Sequence, residues 1–579
     1  MNPAKPPLKI KRRFVPAAAV DALTSAGLSP ILARVYASRG VTDIAQTRYA
    51  LSALPHFSQL KNCVETAQRL ALAITRHEKI VVVADYDVDG ATACAVALRG
   101  LREMGATVDF IVPSRFHHGY GISPGIVEEA VSLFSPDILL TVDNGMTGVA
   151  AAAEAKSRGI DLIITDHHLP AETLPDTPFI VNPNQKGCPF PSKNLAGVAV
   201  MFYVLIALRA QLREAHVPES ALPNLARLLD LVALGTVADV VALDHVNRIF
   251  VDYGLNLIRK GQVNKGVLAL FDVASRSPAN AGTFDLGFAI APRLNAAGRL
   301  ADMSLGVKCL MAEDVVETRT IAGELDRLNQ ERKSVGANIE DDALAKVARM
   351  TTPMDTQYTL ALAEPEWHTG VIGIVASRLK ERFNRPTIVF GCSDENTDAD
   401  DPVLRGSGRS IHGVHLRDAL DWVAKRDPSV IEKFGGHAMA AGLTIKSSAF
   451  ARFAALFEEV VQTLITPEQL LSITETDGAI APDAITIDLA RELRDLVWGQ
   501  HFPAPLFDDC FLVVSQRILK EKHSKLTLDL NGKKFNAILF GDATPLPPKI
   551  RAVFRVDLNE YMGTSSVQLV LSDWDDAQK

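Results

Sequence analysis

The chain has 579 residues, 47% of them hydrophobic, and a formal net charge of −8. That length exceeds one core and calls for about three or four domains; the acidic balance excludes a uniformly basic nucleic-acid coat but leaves room for a local basic groove. Six scattered cysteines (Cys63, Cys94, Cys188, Cys309, Cys392, Cys510) with no Cys-x-x-Cys pair argue against a zinc ribbon or a secreted disulfide framework and fit a reducing cytosol. No apolar signal core and no apolar run of about eighteen residues is present, so no membrane span is expected.

Residues 1–60 are punctuated by proline and carry short helical patterns at 17–26 and 30–37. They read as a lead-in packed on the next domain. From Lys61 to about Gln185 strand and helix alternate. The strands are predicted at 80–84, 107–112, 137–142, 161–165 and 179–181, with helices at 91–104, 124–133 and 147–157 between them. Such alternation means a doubly wound parallel sheet, in which ligands sit beyond the carboxyl ends of the strands.

Each of three strands is followed by polar residues on that same rim. The run Ile80 to Ala84 leads into Asp85, Asp87 and Asp89 before Gly90. In an extended segment residues two apart point the same way, so the three carboxylates can converge. Carboxylates this close repel and raise one another's pKa values, and a divalent cation is the natural counter-charge. The strand ending at Val142 leads into Asp143-Asn144-Gly145, and the one ending at Thr165 into Asp166-His167-His168. Any single Asp here can be a turn former or helix cap. Ordinary turn chemistry does not call for His-His, and adjacent histidines in extended chain face opposite sides. One is then expected to be a ligand, and the other to touch substrate phosphate or a second metal. Further on, an apolar helical region over 195–241 closes on Gly235-Thr236-Val237-Ala238-Asp239. Asp239 reads equally as a turn residue or as a further carboxylate returned to the rim.

Taken in order, Asp85-x-Asp87-x-Asp89-Gly90, Asp143-Asn144-Gly145, Asp166-His167-His168 and Gly235 to Asp239 resemble the four motifs of the DHH phosphoesterase superfamily. Within it the chain resembles the branch of single-strand-specific exonucleases. Pro292 to Arg299 resembles the segment that follows the catalytic domain in that branch. Gly370 to Leu379 and Phe434 to Gly442 resemble the associated DHHA1 domain. Val83 stands where family II pyrophosphatases and short-oligonucleotide phosphodiesterases usually carry a histidine, which favours the exonuclease branch.

Glu313 to Met350 is charged and helical, with no Gly or Pro between Gly323 and Gly336. It suits either a long helix joining two domains or a solvated helix. Residues 355–460 form a second α/β unit. There Leu404 to Ser410 reads as a strand, and within it Arg405-Gly406-Ser407-Gly408-Arg409-Ser410 also reads as a loop whose amides can approach phosphate. Residues from about 475 are β-rich. Lys525 to Leu530 alternates, Asn531-Gly532 is a hairpin turn, and the whole suits an OB-like barrel. Lys520, Lys522, His523, Lys525, Lys533 and Lys534 form a basic patch, either solubilising edge charge or a single-strand track.

The expected architecture is therefore multidomain α/β. It comprises a lead-in (1–60), a doubly wound parallel-sheet DHH domain (61–260), a helical connector (261–350), a second α/β DHHA1 domain (351–465) and a C-terminal OB-like β-barrel (466–579). The resemblance implies a metal-dependent 5′→3′ exonuclease that degrades single-stranded DNA to mononucleotides in DNA repair and recombination. It assigns Asp85, Asp87, Asp89, Asp143, His167 and Asp239 as ligands of one or two Mn²⁺ or Mg²⁺ ions. Asp87, Asp89, Asp143, His167 and His168 are then the catalytic set, and Arg299, Arg378, Arg409, Gly435, Gly436 and His437 hold the strand. Single-stranded-DNA-binding protein and a RecQ-type helicase are the implied partners of a cytoplasmic monomer. The alternatives are a phosphodiesterase acting on short oligonucleotides or cyclic dinucleotides, and a non-catalytic single-strand-binding scaffold.

Overall fold

The apolar run Lys79–Ala84 forms strand β1 and is buried from its second residue onward. It pairs in parallel with β2 (Thr107–Ile111) on one side and β3 (Ile138–Val142) on the other. Strands β4 (Asp161–Thr165) and β5 (Phe179–Val181) extend the sheet, giving a wholly parallel order 2-1-3-4-5. Strands of Val and Ile without polar alternation need cover on both faces. Helix α1 (Val88–Glu103) covers one face and packs in turn on α4 (Gly197–Glu214) and α5 (Leu229–Ala238). On the other face α2 (Pro124–Phe134) and α3 (Val149–Ser157) close a core with Val81, Val83, Leu139 and Ile164. In this order the chain turns outward in opposite directions from β1 and β3, which opens a crevice beyond their carboxyl ends.

This computed structural model describes residues 8–114, 121–350, 353–392, 401–561 and 564–577. It divides into two compact units, Met1–Ile10 with Leu328–Thr474 and Lys11–Arg327 with Glu475–Lys579. The parallel sheet belongs to the second. Most predicted elements start or stop within a few residues of their expected ends, with one consequential difference. Helix α1 begins at Val88 rather than Ala91, because the Asp87 carboxylate accepts the Gly90 amide at 3.0 Å and caps it. Asp85, Asp87 and Asp89 therefore lie on a strand end, a cap and a first helical turn, not on one extended zigzag. Residues 219–238 reach the mean hydropathy of a membrane span, but they form successive short helical pieces largely buried in this unit.

After α6 (Ala291–Leu300), a single 35-residue helix, α7 (Val315–Arg349), runs from the second unit into the first. The first unit carries a sheet of order 9-10-8-7-6. Its strands are β6 (Leu360–Ala363), β7 (Thr387–Cys392), β8 (Val403–Arg409), β9 (Lys433–Gly436) and β10 (Ala440–Lys446), and α8 (Ile372–Phe383) packs on it. The strand predicted at 404–410 is present as the central strand of this sheet, and it rules out the reading of Arg405 to Arg409 as a phosphate loop. Residues 405–409 are in register with both β7 and β10, so their amides are committed to the sheet rather than offered to an anion.

The C-terminal strands β11 (Phe507–Leu519), β12 (His523–Leu530), β13 (Lys533–Leu539), β14 (Lys549–Tyr561) and β15 (Thr564–Asp576) close into a barrel of order 11-12-13-15-14. Asn531 and Gly532 both take positive φ, as a tight hairpin of type I′ requires. This barrel belongs to the same unit as the parallel sheet, and the lead-in fastens the two together. Asp508 accepts from Arg12 and Arg551, and Asp477 holds Arg39 through two bonds of 2.7 and 3.0 Å. The Arg248 guanidinium lies 4.1 Å from the Phe502 ring centroid. The lead-in thus packs on the C-terminal region as well as on the domain that follows it.

The Arg39 side chain is only 2% exposed. Breaking a buried pair strands the remaining charge at a cost of about 3–5 kcal/mol. Asp477→Ala is expected to lower unfolding stability by about that amount, whereas replacing the exposed Glu475, which pairs with Lys11 and Arg13, costs under about 1 kcal/mol. Chemical denaturation of the two variants checks this.

Candidate metal centre

Beyond the carboxyl ends of β1, β3 and β4 the acidic residues and one imidazole close on a small volume. Asp85, Asp87 and Asp143 each offer an oxygen, all within 4.8 Å of one another. On the other side of Asp143, the His167 Nε2 lies 3.1 Å from Asp143 Oδ1, 3.4 Å from Asp239 Oδ2 and 3.9 Å from Asp89 Oδ2. Four stretches far apart in sequence supply this cluster, and each is held by local bonding. Asp89 sits on the N-terminus of α4, its oxygens accepting the Gly197 amide at 2.6 Å and the Val198 amide at 2.9 Å. A Cβ on Gly197 would stand 2.6 Å from Asp143 Oδ1, so only glycine lets the helix start this close. Asp143 itself takes φ +62°, a left-handed conformation that L-residues other than Asn and Asp seldom adopt. The Asn144 side chain donates to the Val83 and Val142 carbonyls, tying the ends of β1 and β3 together.

Asp166 was not expected to act beyond its motif, yet it organises the histidines. Its Oδ1 accepts the amides of His167 and His168 and faces His168 Nδ1 at 2.7 Å, while its Oδ2 accepts the Met146 amide. Asn184 and Asn182 donate to the carbonyls of His167 and His168. Both asparagines follow β5, so their position on the same rim was the available signal. His167 Nε2 faces Asp143, Asp239 and Asp89, while His168 Nδ1 faces Asp166, though a ring nitrogen of each histidine and an oxygen of Asp143 also lie within 4.8 Å of one another.

Electrostatics follow from this geometry. Burial raises the pKa of Asp85, Asp89, Asp143 and Asp239, and neighbouring carboxylates, Asp87 and Asp89 foremost, raise them further. Burial and the positive His168 push His167 down to about 4, so it is neutral. Burial opposes charge on His168 too, but the Asp166 hydrogen bond and the charges of Asp166, Asp85 and Asp87 outweigh it and lift its pKa to about 9. His167 also bonds to the Leu195 backbone in a way that favours its protonated ring nitrogen. That leaves the Nε2 lone pair facing three carboxylate oxygens, and neither Nε2 nor the buried Asp143 Oδ1 has a hydrogen-bond partner. An acceptor surrounded by acceptors needs a shared proton or a metal cation, and a metal cation satisfies all of them at once. The donor set, oxygens with one imidazole, fits Mn²⁺ or Mg²⁺ better than Ca²⁺.

The remaining expected residues fall in two places. Arg299 lies in the last turn of α6, next to Gly298, where an added Cβ would stand 2.2 Å from the Tyr86 carbonyl oxygen; α6 therefore buttresses the loop of Asp85 and Asp87. Arg378, Arg409, Gly435, Gly436 and His437 belong to the first unit. There Arg409 lies opposite Ala440, whose carbonyl accepts the His437 amide at 2.8 Å, and Gly435 and Gly436 pair with β10 beside it. The Arg409 guanidinium also reaches the start of α8, within 3.1 Å of a Cβ built on Gly373. Arg378, further along α8, pairs with Glu340 at 2.6 Å.

Comparison with known proteins follows the same divisions. Residues 79–236 match the DHH family N-terminal domain, residues 355–463 the DHHA1 domain, and residues 476–573 the RecJ OB domain. The single-stranded-DNA-specific exonuclease RecJ of Escherichia coli is 42% identical over 95% of this chain and 96% of its own length. That of Bacillus subtilis is 34% identical over 89% of this chain and 63% of its own. The crystal structure of Thermus thermophilus RecJ in complex with Mn²⁺ superposes with a TM-score of 0.81 at 28% identity, covering 98% of this chain and 79% of that one.

The raised carboxylate pKa values carry a sign. Asp85, Asp89, Asp143 and Asp239 each titrate higher folded than unfolded, so without cations their contribution to stability falls as pH rises from about 4 through neutrality, whereas Asp166, held low by His168 against its burial, acts in the opposite sense. His168, raised to about 9, contributes stability that is full below its unfolded value and fades as pH approaches 9, in the same sense as the four raised acids. Cations must displace the protons that the site retains, so affinity for Mn²⁺ is expected to rise about 10-fold per pH unit for each proton displaced. Thermal unfolding with and without Mn²⁺ checks this: the gain in Tm should be larger at pH 8 than at pH 6. Gly197→Ala should abolish most of that gain by pushing on Asp143.

Proposed function

The chain belongs to the RecJ family of single-stranded-DNA-specific exonucleases, and from that membership we propose how its acidic rim performs the hydrolysis. The enzyme is a metal-dependent nuclease acting on single-stranded DNA. The observation that supports the site assignment is the bare His167 Nε2 set among carboxylates, with the Asp85, Asp87 and Asp143 oxygens gathered on the other side of Asp143. Asp85, Asp87 and Asp143 would hold one Mn²⁺ or Mg²⁺, and Asp89, His167 and Asp239 a second. Bound there, such ions lower the pKa of a water and neutralise charge on the scissile phosphate.

The chain's own residues do the rest. Asp89 is fixed by the α4 amides and Asp143 by its turn, so both ligands are pre-positioned and need little reorganisation. His168, kept cationic by Asp166, is suited to balance the negative charge that grows on the phosphate oxygens. Arg409, with the Gly435–His437 turn beside it, is suited to grip a strand phosphate, and the basic barrel hairpin to track the rest of the strand. Arg299 extends the basic lining on α6. The pairing of Arg378 with Glu340 argues for a lesser role for Arg378 in phosphate binding. A 5′→3′ polarity, release of mononucleotides, a part in repair and recombination, cytoplasmic action and cooperation with single-stranded-DNA-binding protein and a RecQ-type helicase complete the reading, on family resemblance.

Digestion of 5′- and 3′-labelled strands with Mn²⁺ tests it against duplex and RNA controls. Mononucleotides should appear from the 5′ end of single-stranded DNA and persist as product on long strands. Asp87→Ala should lower kcat by at least about 100-fold while single-strand binding survives. Normal turnover by that variant would sink the metal assignment.

A further inference from the structure

The residues that flank Asp239 in the chain, Ala238 and Val240, line an apolar recess that the proposed chemistry leaves unused. Its volume is about 420 Å³, and Ala238, Val240, Phe284, Phe288, Trp498 and Arg555 are among the residues that line it. It lies wholly within the unit that holds the metal centre and the barrel.

Local sequence explains its shape. Residues Asp285–Ile290 form a π-helical turn that runs straight into α6. Pro292, in the first turn of α6, has no N–H to return to the Phe288 carbonyl, so the regular ladder cannot continue back through it. The widened turn carries Phe284 and Phe288 outward, 54% and 74% exposed. Their rings stack on each other, with centroids 4.9 Å apart and planes at 23°. Val240, immediately after Asp239, is 61% exposed and held at φ +62°. A β-branched residue pays for that conformation, and such strain gathers at working sites.

Cations flank the aromatic pair. The Arg276 guanidinium stands 6.0 Å from the Phe284 ring and 3.7 Å from Asp285, and the exposed Arg555 reaches the recess from β14. The neighbouring rim is acidic. A polyanion held at the rim's cations would find its next favourable charge at these guanidinium groups. A nucleobase beside it would find two aromatic faces.

We propose that this recess is a nucleobase subsite: Phe284 and Phe288 stack one or two bases of the single strand adjacent to the phosphate under attack, and Arg555 meets the backbone beside them. The assignment rests on the nuclease reading and adds to it a specific positioning surface. Base stacking of this kind tolerates every base, because each has a π face, and it excludes paired bases, whose faces are already covered.

Phe284→Ala/Phe288→Ala in the full chain provides the test. Oligonucleotides carrying one abasic residue, walked nucleotide by nucleotide from the attacked end, are digested with Mn²⁺ and also bound in chelator without turnover. The wild type should show a raised KM and weaker binding at one or two adjacent abasic positions. The double variant should raise KM on intact DNA about 10-fold, keep kcat within about 2-fold, and lose the positional penalty. Phe284→Tyr/Phe288→Tyr should restore both, and Phe284→Leu/Phe288→Leu should not. An unchanged KM, a penalty that persists in the alanine variant, or full rescue by leucine would overturn the subsite; the last would mean an apolar contact for a protein partner. Failure of the wild type to degrade single strands would instead strike the nuclease reading, while the binding arm still decides the subsite.

Discussion

Buried carboxylates that face one another, with a neutral imidazole among them, set the constraint on which the catalytic unit depends. Left alone, they repel, and burial denies them water to soften the repulsion. The fold answers chiefly with backbone amides, beside one cationic side chain, His168 on Asp166. Asp89 rests on the first amides of α4, Asp87 on those of α1, and Asp166 collects three more. These bonds fix each acid in place without neutralising it, so the group remains short of positive charge at its centre. A divalent cation makes up that deficit, which is why stability, proton uptake and catalysis are expected to be linked through one small volume.

That volume exists because of sheet order. With strands arranged 2-1-3-4-5, the segments leaving β1 and β3 part company, and the crevice between them is where Asp85 and Asp143 emerge. This much was legible in the amino-acid sequence, because continuous Val and Ile runs followed by acids admit few other arrangements. The route by which the acids converge was less legible. An alternating Asp-x-Asp-x-Asp reads as extended chain, whereas the cap made by Asp87 folds the third acid into a helix and sends it towards His167. Asp239 was evenly balanced between turn and ligand on sequence grounds. Only the three-dimensional return of α5 brings it within 3.4 Å of the imidazole.

Other features were illegible for a related reason: they depend on partners far away in the chain. The glycine- and arginine-rich run at 405–409 reads both as a strand and as a phosphate loop in sequence, and the two neighbouring strands that pair with it decide for the sheet. Strand β11 went unread, since its exposed Val and Ile residues carry no clean alternation. The bulge before Pro292 could not be seen at all, because a single proline marks a helix start as readily as a widened turn. The lead-in reads as packed on the domain that follows it, yet Arg12, Arg13 and Arg39 also hold acids of the C-terminal region.

This last arrangement has a consequence for how the molecule comes into being. The acid that pairs with Arg39 lies 438 residues downstream. At about 5–20 residues per second, the ribosome needs roughly 20 to 90 seconds to deliver it. Throughout that interval the nascent sheet has its amino-terminal arginines but not the barrel they clamp, and surfaces around Tyr36 and Arg248 stay bare until Trp498 and Phe502 emerge. The chain therefore has its ligands for metal long before its closure, and completion of the nuclease waits on synthesis of the segment around Asp477, Phe502 and Asp508.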